Sequence, residues 1–448
     1  MTFPQVTRMS SPASSFYAWY TLVLLLGIYV NSFLDRSILA LLVGPIKSTL
    51  HLTDTQMGFL MGPAFAIFYT IGGIPLGWLA DRGSRLILVG CGQVFWSIAS
   101  IGFGLGSNFS QLVTARIAVG VGEASLSPSA YSLITDLFPP HRLGRALSIY
   151  GMGIYFGSGL ASLLGGYLTG VLALEETYNI PLWGLSYGWQ LMFFFIAAPT
   201  IPLTLMLLLC REPKRRPSPK ESSDTPNQQV SVTDFFRFIW QIKGAFFLHG
   251  LGFACLSFKG YGALSWTPEY FIRIHHWTAS QIGTWTGIGT IILGPAGILF
   301  GGWLGDYYHR RGYSDSKVRA CVYTSLLWIP FGIGMPLAPN GDIAFALYLP
   351  ATFLAATHWG LAPAAIQEMV PATMRGQASA LYLFIINLVG IGLGPLALAV
   401  VTDYVFQSPN QIHYSLLITT VLGAITGTWL LARSLPHIRH IHSSHQRL

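Results

Sequence analysis

Charge is what this chain has least of. Its 448 residues include 25 Lys or Arg and 17 Asp or Glu, 9% in all, where a soluble globular protein devotes about 25%. That scarcity excludes an ordinary water-exposed surface and, with it, a typical cytosolic enzyme. Cysteine is almost as sparse. Cys91, Cys210, Cys255 and Cys321 stand far apart in apolar runs, so no disulfide scaffold and no zinc cluster is expected, and the thiols are read as small packed hydrophobes. Catalytic signatures are missing as well. The sequence has no HExxH, GxSxG or GxxxxGK[ST] motif and no Ser/His/Asp grouping with useful context, so neither an enzyme nor a cofactor is expected.

What the chain does have is apolar: 52% of it is hydrophobic, with 49 Gly, 28 Phe and 13 Trp. This composition excludes a disordered chain and fits helices packed closely in lipid with aromatic residues at the interfaces. A span needs about 20 apolar residues, and twelve are predicted, at 17–43, 56–79, 86–106, 109–134, 145–173, 187–210, 243–266, 280–304, 319–338, 342–366, 376–402 and 412–433. The first apolar run is too long for a signal peptide and no small-residue cleavage site follows it. With the N-terminus inside, Arg82, Arg85, Arg142, Arg145, Arg211, Lys214, Arg215, Arg216, Lys220, Arg310, Arg311, Lys317, Arg319, Arg375, Arg433 and Arg439 fall on one side, and only Lys47 and Arg273 on the other. This positive-inside pattern predicts a multi-pass protein of the cell inner membrane with both termini cytoplasmic. The net charge of +8 is therefore a topology signal, and no nucleic-acid partner is expected.

The Pro-rich stretch from Arg211 to Lys220 reads as a solvated linker. It divides the chain into a cytoplasmic tail (1–16), a six-helix bundle (17–210), a cytoplasmic linker (211–242), a second bundle (243–433) and a C-terminal cytoplasmic tail (434–448). The halves share a repeat. Ile134-Thr135-Asp136-Leu137-Phe138-Pro139 through Gly144-Arg145-Ala146 aligns without a gap on Ile366-Gln367-Glu368-Met369-Val370-Pro371 through Gly376-Gln377-Ala378, and Tyr150 then matches Tyr382. Gly77-Trp78-Leu79-Ala80-Asp81 echoes Gly302-Trp303-Leu304-Gly305-Asp306. Two echoes in the same order indicate a duplicated six-helix bundle.

Gly77-Trp78-Leu79-Ala80-Asp81-Arg82-Gly83-Ser84-Arg85 resembles the loop motif of the major facilitator superfamily of secondary transporters. The resemblance implies an all-α polytopic membrane protein with twelve transmembrane helices in two six-helix bundles. It also implies a cytoplasmic gate. Gly77 admits a neighbouring helix and Asp81 meets the positive end of one, expected near Gly376 of the eleventh helix. Arg82 and Arg85 hold the acid or anionic headgroups. Asp136 and Arg145, with Asp306, Glu368 and Arg375 in the second half, are assigned to the same gate.

Few charges lie inside the spans, where each is costly and faces a cavity or a partner. Asp35 and Arg36 sit in the first helix, Arg116 and Glu123 in the fourth, and Lys259 in the seventh. Arg116, Gly120 and Glu123 recur at helical spacing and share a face. Counted at about 1.5 Å per residue, Arg116 and Asp35 reach a common depth, with Glu123 deeper. Burial favours the protonated form of a carboxyl and a neighbouring Arg favours the ionised one, so Glu123, then Asp35, are the expected proton carriers. A fixed ion pair that never titrates is the alternative. Lys259 either attracts an anionic headgroup or is structural. His249 and His358 are read as satisfied core histidines.

Asn31 with Asp35-Arg36, Ala115-Arg116-Ile117, Gly120-Val121-Gly122-Glu123-Ala124, Pro128-Ser129-Ala130 and Ile134 to Pro139 are similar to the Spinster family, which includes carriers of sphingosine-1-phosphate and lysophospholipids. The resemblance implies a bacterial-type homologue in which Asp35, Arg36, Arg116 and Glu123 form the working polar centre. Asn31, Arg36, Arg116 and Lys259 are its candidate substrate residues. The expected function is proton-coupled transport of an amphipathic lipid by a monomer in the bilayer. A carrier of small organic anions or amphipathic drugs is the alternative, and a non-transporting receptor or scaffold the alternative of another class.

Overall fold

The structure is a computed structural model that describes residues 15–180, 184–213, 215, 231–371 and 373–445. The expected tail up to residue 14, linker positions Lys214, Arg216 and Lys220, and residues 446–448 lie outside the described residues.

Among the described residues the chain forms twelve helical rods. They are Ser15–Leu50, Asp54–Arg82, Arg85–Gly104, 109–137, 140–171, Gly188–Leu208, Lys243–His275, Ala279–Arg310, Ser316–Gly334, Gly341–Met369, Arg375–Phe406 and Ile412–His445. Nine are long and apolar enough to cross a membrane. A tenth, Lys243–His275, qualifies together with the short helix Val232–Gln241, which meets it at 89°. We call the end carrying residues 82–85, 139–145 and 310–319 the basic end, and the other the far end. The two sequence echoes fall on equivalent rods at the basic end, and Tyr150 and Tyr382 are both fully buried.

Several rods outrun the expected spans, for identifiable reasons. Pro45 does not end the first helix, although proline removes one ladder bond. Gly44 N–H instead donates to Glu269 Oε1 at 3.1 Å, and the Thr49 hydroxyl donates to the Pro45 carbonyl at 2.8 Å. The seventh helix runs nine residues past 266 because its charged end is neutralised in place. Arg273 Nε donates to Glu269 Oε2 at 2.6 Å, and its two Nη atoms reach Asp54 at 2.7 and 2.9 Å. The twelfth continues to His445 through residues assigned to the C-terminal tail, and Arg439 Nε donates to Asp315 Oδ2 at 2.6 Å. The linker also contains the helix Val232–Gln241, which buries Phe235 and Ile239 four residues apart and leaves Phe236 and Trp240 exposed. One departure from all-α structure is an antiparallel hairpin at the far end, Thr177–Ile180 with Gly184–Tyr187, where Gly184 takes a positive φ of 79°. No alternating apolar pattern marks it, because only Ser186 of its second strand is buried.

The first half docks its linker on its own basic end. Arg85, fully buried, donates from Nε to Glu212 Oε1 at 2.7 Å and from Nη1 to Ser132 at 2.8 Å, and it is ion-paired to Asp136. Glu212 also accepts from Leu86 N–H and the Ser84 hydroxyl, while Arg215 Nη2 donates to the Ala80 and Gly83 carbonyls. Burial raises the Glu212 pKa, but the bonds from Arg85, Leu86 and Ser84 outweigh it and hold the carboxyl below its usual range.

Contacts between the halves concentrate at the far end. A Cβ on Gly283 of the eighth rod would stand 2.6 Å from the Ser162 carbonyl and 2.7 Å from Gly166 Cα of the fifth; one on Gly287 would stand 2.8 Å from the Gly159 carbonyl. Only glycine permits that approach. Nearby, Asp54 pairs with Arg273, and Asp403 accepts from Thr55 N–H at 2.6 Å and its hydroxyl at 2.7 Å. The bond from Gly44 N–H to Glu269 joins the two halves as well.

Two outcomes follow from these contacts. Gly283→Val should penalise this packing by about 1–3 kcal/mol and widen the far-end distance between spin labels on the fifth and eighth rods; an unchanged distance distribution would refute the tight contact. Glu212, with a depressed native pKa, supports linker docking fully above the ordinary glutamate value of about 4.3 and loses it as pH falls through the depressed value. A spin label at position 213 should therefore stay immobile to well below neutral pH and loosen in acid, while Glu212→Gln should be loose at every pH.

Candidate functional site

Between the halves lies a cavity lined by Phe33, Tyr155 and Ser158 from the first half and by Lys259, Tyr261, Trp328, Trp359 and Thr420 from the second, among others. It holds about 1170 Å³ of space between atoms, counting open solvent at its mouth. A smaller neighbour of about 480 Å³ shares Phe33, Tyr261 and Leu264 with it and is lined by Arg36 and Arg116.

The first-half polar centre is built by three helices. Gly120 lets the fourth rod lie against the second, since a Cβ there would stand 2.7 Å from the Phe65 carbonyl. This approach sets Arg116 and Glu123 facing the first helix. Arg116 Nη1 lies 3.2 Å from Asp35 Oδ1, so the two do share a depth, and its Nε points to the Leu60 carbonyl at 3.4 Å. Glu123 pairs not with Arg116 but with Arg36: its Oε2 accepts from Arg36 Nε at 2.6 Å and from the Ser32 hydroxyl at 2.6 Å. Glu123 Oε1 has no hydrogen-bond partner. Asp35, Arg116 and Glu123 are each at most 2% exposed. The Arg36 guanidinium also lies 4.5 Å from the Phe65 ring centre, 4.6 Å from Tyr69 and 4.8 Å from Phe33. In effect, the two arginines line the smaller cavity and the two acids sit behind them, lining neither cavity. Asn31 turns elsewhere, donating to Thr200 Oγ1 at 3.3 Å.

The second half presents Lys259, 2% exposed, its Nζ without a hydrogen-bond partner and 3.6 Å from the Trp328 ring centre. His358 is held by the Thr324 and Ser325 hydroxyls at 3.1 and 2.9 Å, and His249 Nε2 by the Ala362 carbonyl at 3.0 Å. His358 thus has the satisfied setting expected of it, whereas His249 keeps a buried Nδ1 with no hydrogen-bond partner.

At the basic end the predicted gate residues do not converge. Asp81 and Asp306 are exposed and make no hydrogen bond or ion pair among the described residues. Gly77 has only Pro128 within reach of an added Cβ, and Gly376 has nothing. Arg82 lies 3.9 Å from the Trp78 ring centre and Arg145 5.9 Å from Trp19. Asp136 is tied to Arg85, Glu368 to Lys317, and Arg375 to the Gln367 carbonyl at 3.1 Å. The structure thus has the halves joined at the far end, with the gate residues Arg85 and Asp136 paired inside the first half.

Sequence reasoning missed three contributors. Glu212 was read only as part of a solvated linker. Asp54 had a legible marker, because Thr53 and Gln56 form a capping box that starts its helix. Trp328 had none, as one aromatic residue in an apolar run is unremarkable.

Residues 25–395 match the model of the Major Facilitator Superfamily. An "MFS-type efflux pump" of Mycolicibacterium smegmatis is 29% identical over 86% of this chain and 85% of its own. "Protein spinster homolog 1" of Xenopus tropicalis is 26% identical over 93% of this chain and 80% of its own. The crystal structure of a bacterial homologue of the human lysosomal transporter Spinster, inward-facing and unoccupied, superposes with a TM-score of 0.79 at 26% identity, covering 96% of this chain and 99% of that one. The chain belongs to the Major Facilitator Superfamily, as a multi-pass membrane transporter with Spinster proteins among its relatives.

Proposed function

We propose that the protein is a proton-coupled secondary transporter that moves an amphipathic lipid, such as a lysophospholipid or sphingoid phosphate, by alternating access. The observation that carries the coupling is the bare Oε1 of Glu123 beside an Oε2 engaged by Arg36 and Ser32. A proton on Oε1 neutralises Glu123 and loosens its hold on Arg36, which lines the cavity wall. Protonation of Asp35 acts on Arg116 in the same way. Each acid is thereby linked to a cation that a substrate can touch, so proton occupancy and substrate occupancy bias the same conformations.

The cavity wall suits an amphipathic cargo, because Tyr155, Tyr261, Leu264, Met335 and Leu416 make it apolar around Lys259. Likeness to Spinster proteins points the same way. Transport rocks residues 17–210 against 243–433 around this site. The basic end faces the cytoplasm of the inner membrane, and Asp81 stabilises the state closed there. A second reading, export of amphipathic drugs, is favoured by the 29% identity to a protein described as an efflux pump.

In proteoliposomes, Glu123→Gln should abolish the dependence of lysophospholipid uptake on an imposed pH gradient; undiminished dependence would remove Glu123 from proton coupling. Competition by small carboxylates alone, with no effect of unlabelled lysolipid, would sink the lipid cargo. Asp81→Ala should enrich the state open at the basic end, read as longer distances between labels on the second and eleventh rods, and an unmoved distribution would overturn the gate role.

A further inference from the structure

The buried charges of the two halves are not equivalent. In the first half each cation is answered: Arg116 by Asp35, Arg36 by Glu123, Arg85 by Asp136 and Glu212. Lys259 is different. Among the described residues it is the buried cation whose nitrogen meets no acceptor and no carboxylate. It stands midway along the seventh helix on the wall of the large cavity, so the ammonium's three donors have the cavity as their outlet.

The surroundings hold that ammonium in place. A Cβ on Gly423 of the twelfth rod would stand 3.2 Å from Lys259 Cβ, so this glycine lets the root of the side chain lie against its neighbour. On the ninth rod, a Cβ on Gly332 would fall 2.1 Å from Trp328 Cζ3 and 2.3 Å from Cη2. Glycine one turn after the tryptophan is what allows the indole to lie flat along its own helix, with its face 3.6 Å from Lys259 Nζ. The indole face attracts a cation through its ring quadrupole and accepts no conventional hydrogen bond. A desolvated ammonium with unmet donors is costly, and an incoming oxyanion is the group that removes the cost.

We propose that Lys259, backed by Trp328, is the receptor for the anionic head of the transported amphiphile, a phosphate ester or carboxylate. The assignment rests on the reading of the central cavity as the route of an amphipathic substrate, and it deepens that reading by placing the head in the second half, away from the acids assigned to proton coupling. Division of labour follows. The first half holds acid–base pairs that rearrange with protons, and the second holds, in Lys259, a buried cation free to take a ligand's charge.

The test uses the full chain in phosphatidylcholine nanodiscs and three probes: oleoyl lysophosphatidate, neutral monooleoylglycerol and glycerol 3-phosphate. Lys259→Met keeps the stem length and removes the charge. It should weaken lysophosphatidate binding about tenfold or more, leave monooleoylglycerol unchanged, and reduce any glycerol phosphate binding in parallel. Lys259→Arg should restore most of the lysophosphatidate affinity, which a merely structural lysine would not require. Unchanged lysophosphatidate binding in Lys259→Met overturns the assignment, as does equal weakening of the neutral and anionic lipids, which would mark a packing defect. Glycerol phosphate binding alone, with no lysolipid bound, would show a soluble anion as the ligand and overturn the amphiphile. The two readings fail separately: transport of lysophosphatidate unaffected by Lys259→Met removes the head site and keeps the carrier, whereas Lys259-dependent binding without transport keeps the head site and removes the carrier.

Discussion

Inside a bilayer a charge must be answered by something the protein itself supplies, because lipid offers no hydrogen bonds. That constraint organises this molecule. Asp35 and Arg116 come from the first and fourth rods, Glu123 and Arg36 from the fourth and first, and Asp54 and Arg273 from the second and seventh. In every case the answering charge sits on a different rod, so each pair ties two helices at a fixed height. Where a pair crosses from one half to the other, as Asp54 does to Arg273, it also ties the conformation. Breaking a buried pair costs about 3–5 kcal/mol, comparable with the energy that separates conformers in a typical two-state protein. The same chemistry that holds the bundle therefore selects its state.

Glycine is the second half of the argument, since charges pair only if backbones come close. Gly120 lets the fourth rod approach the second and thereby presents Arg116 and Glu123 to the first. Gly166 and Gly283 let the fifth and eighth rods meet at the far end, beside the Asp54–Arg273 pair. The eleventh rod uses a looser device. Its π-helical turn Asn387–Leu393 carries Gly390 against Ser257 and Gly392 against Ala66, and Gly62 at the break in the second rod abuts the Gly392 carbonyl. Wide turns of this kind recur at functional sites, and here one lies between the two halves.

How much of this was legible beforehand depends on which physical quantity carried it. Axial position is a count of residues times a fixed rise, so the common depth of Asp35 and Arg116 could be read from the sequence and the structure reproduces it at 3.2 Å. Rotation of one helix about its axis relative to another is not contained in that count. Glu123 accordingly had an undecided partner, and it is Arg36, its neighbour across the interface, rather than Arg116 on its own face. Repeats and family motifs are patterns of identity, and they identified the superfamily correctly. Helix ends were harder. The ends of the first, seventh and twelfth rods are set by contacts with Glu269, Asp54 and Asp315, which lie far away in the chain, whereas hydropathy falls at the first charge regardless of whether that charge is answered.

Lys259 shows why an exception to the constraint carries more information than the pairs that obey it. A pair is satisfied whether or not it ever moves, so pairing alone cannot separate a strut from a switch. An ammonium whose root is seated by Gly423 and whose head lies over Trp328 has been positioned without being neutralised. The bundle contains carboxylates enough to answer it, yet all of those in the first-half centre stand on the other side of the cavity, engaged with arginines. Replacing such a lysine by an apolar residue would relieve the burial cost at no loss of packing. Its position on the wall of the central cavity is what gives the cost a use, because an oxyanion bound there from outside the chain offsets it.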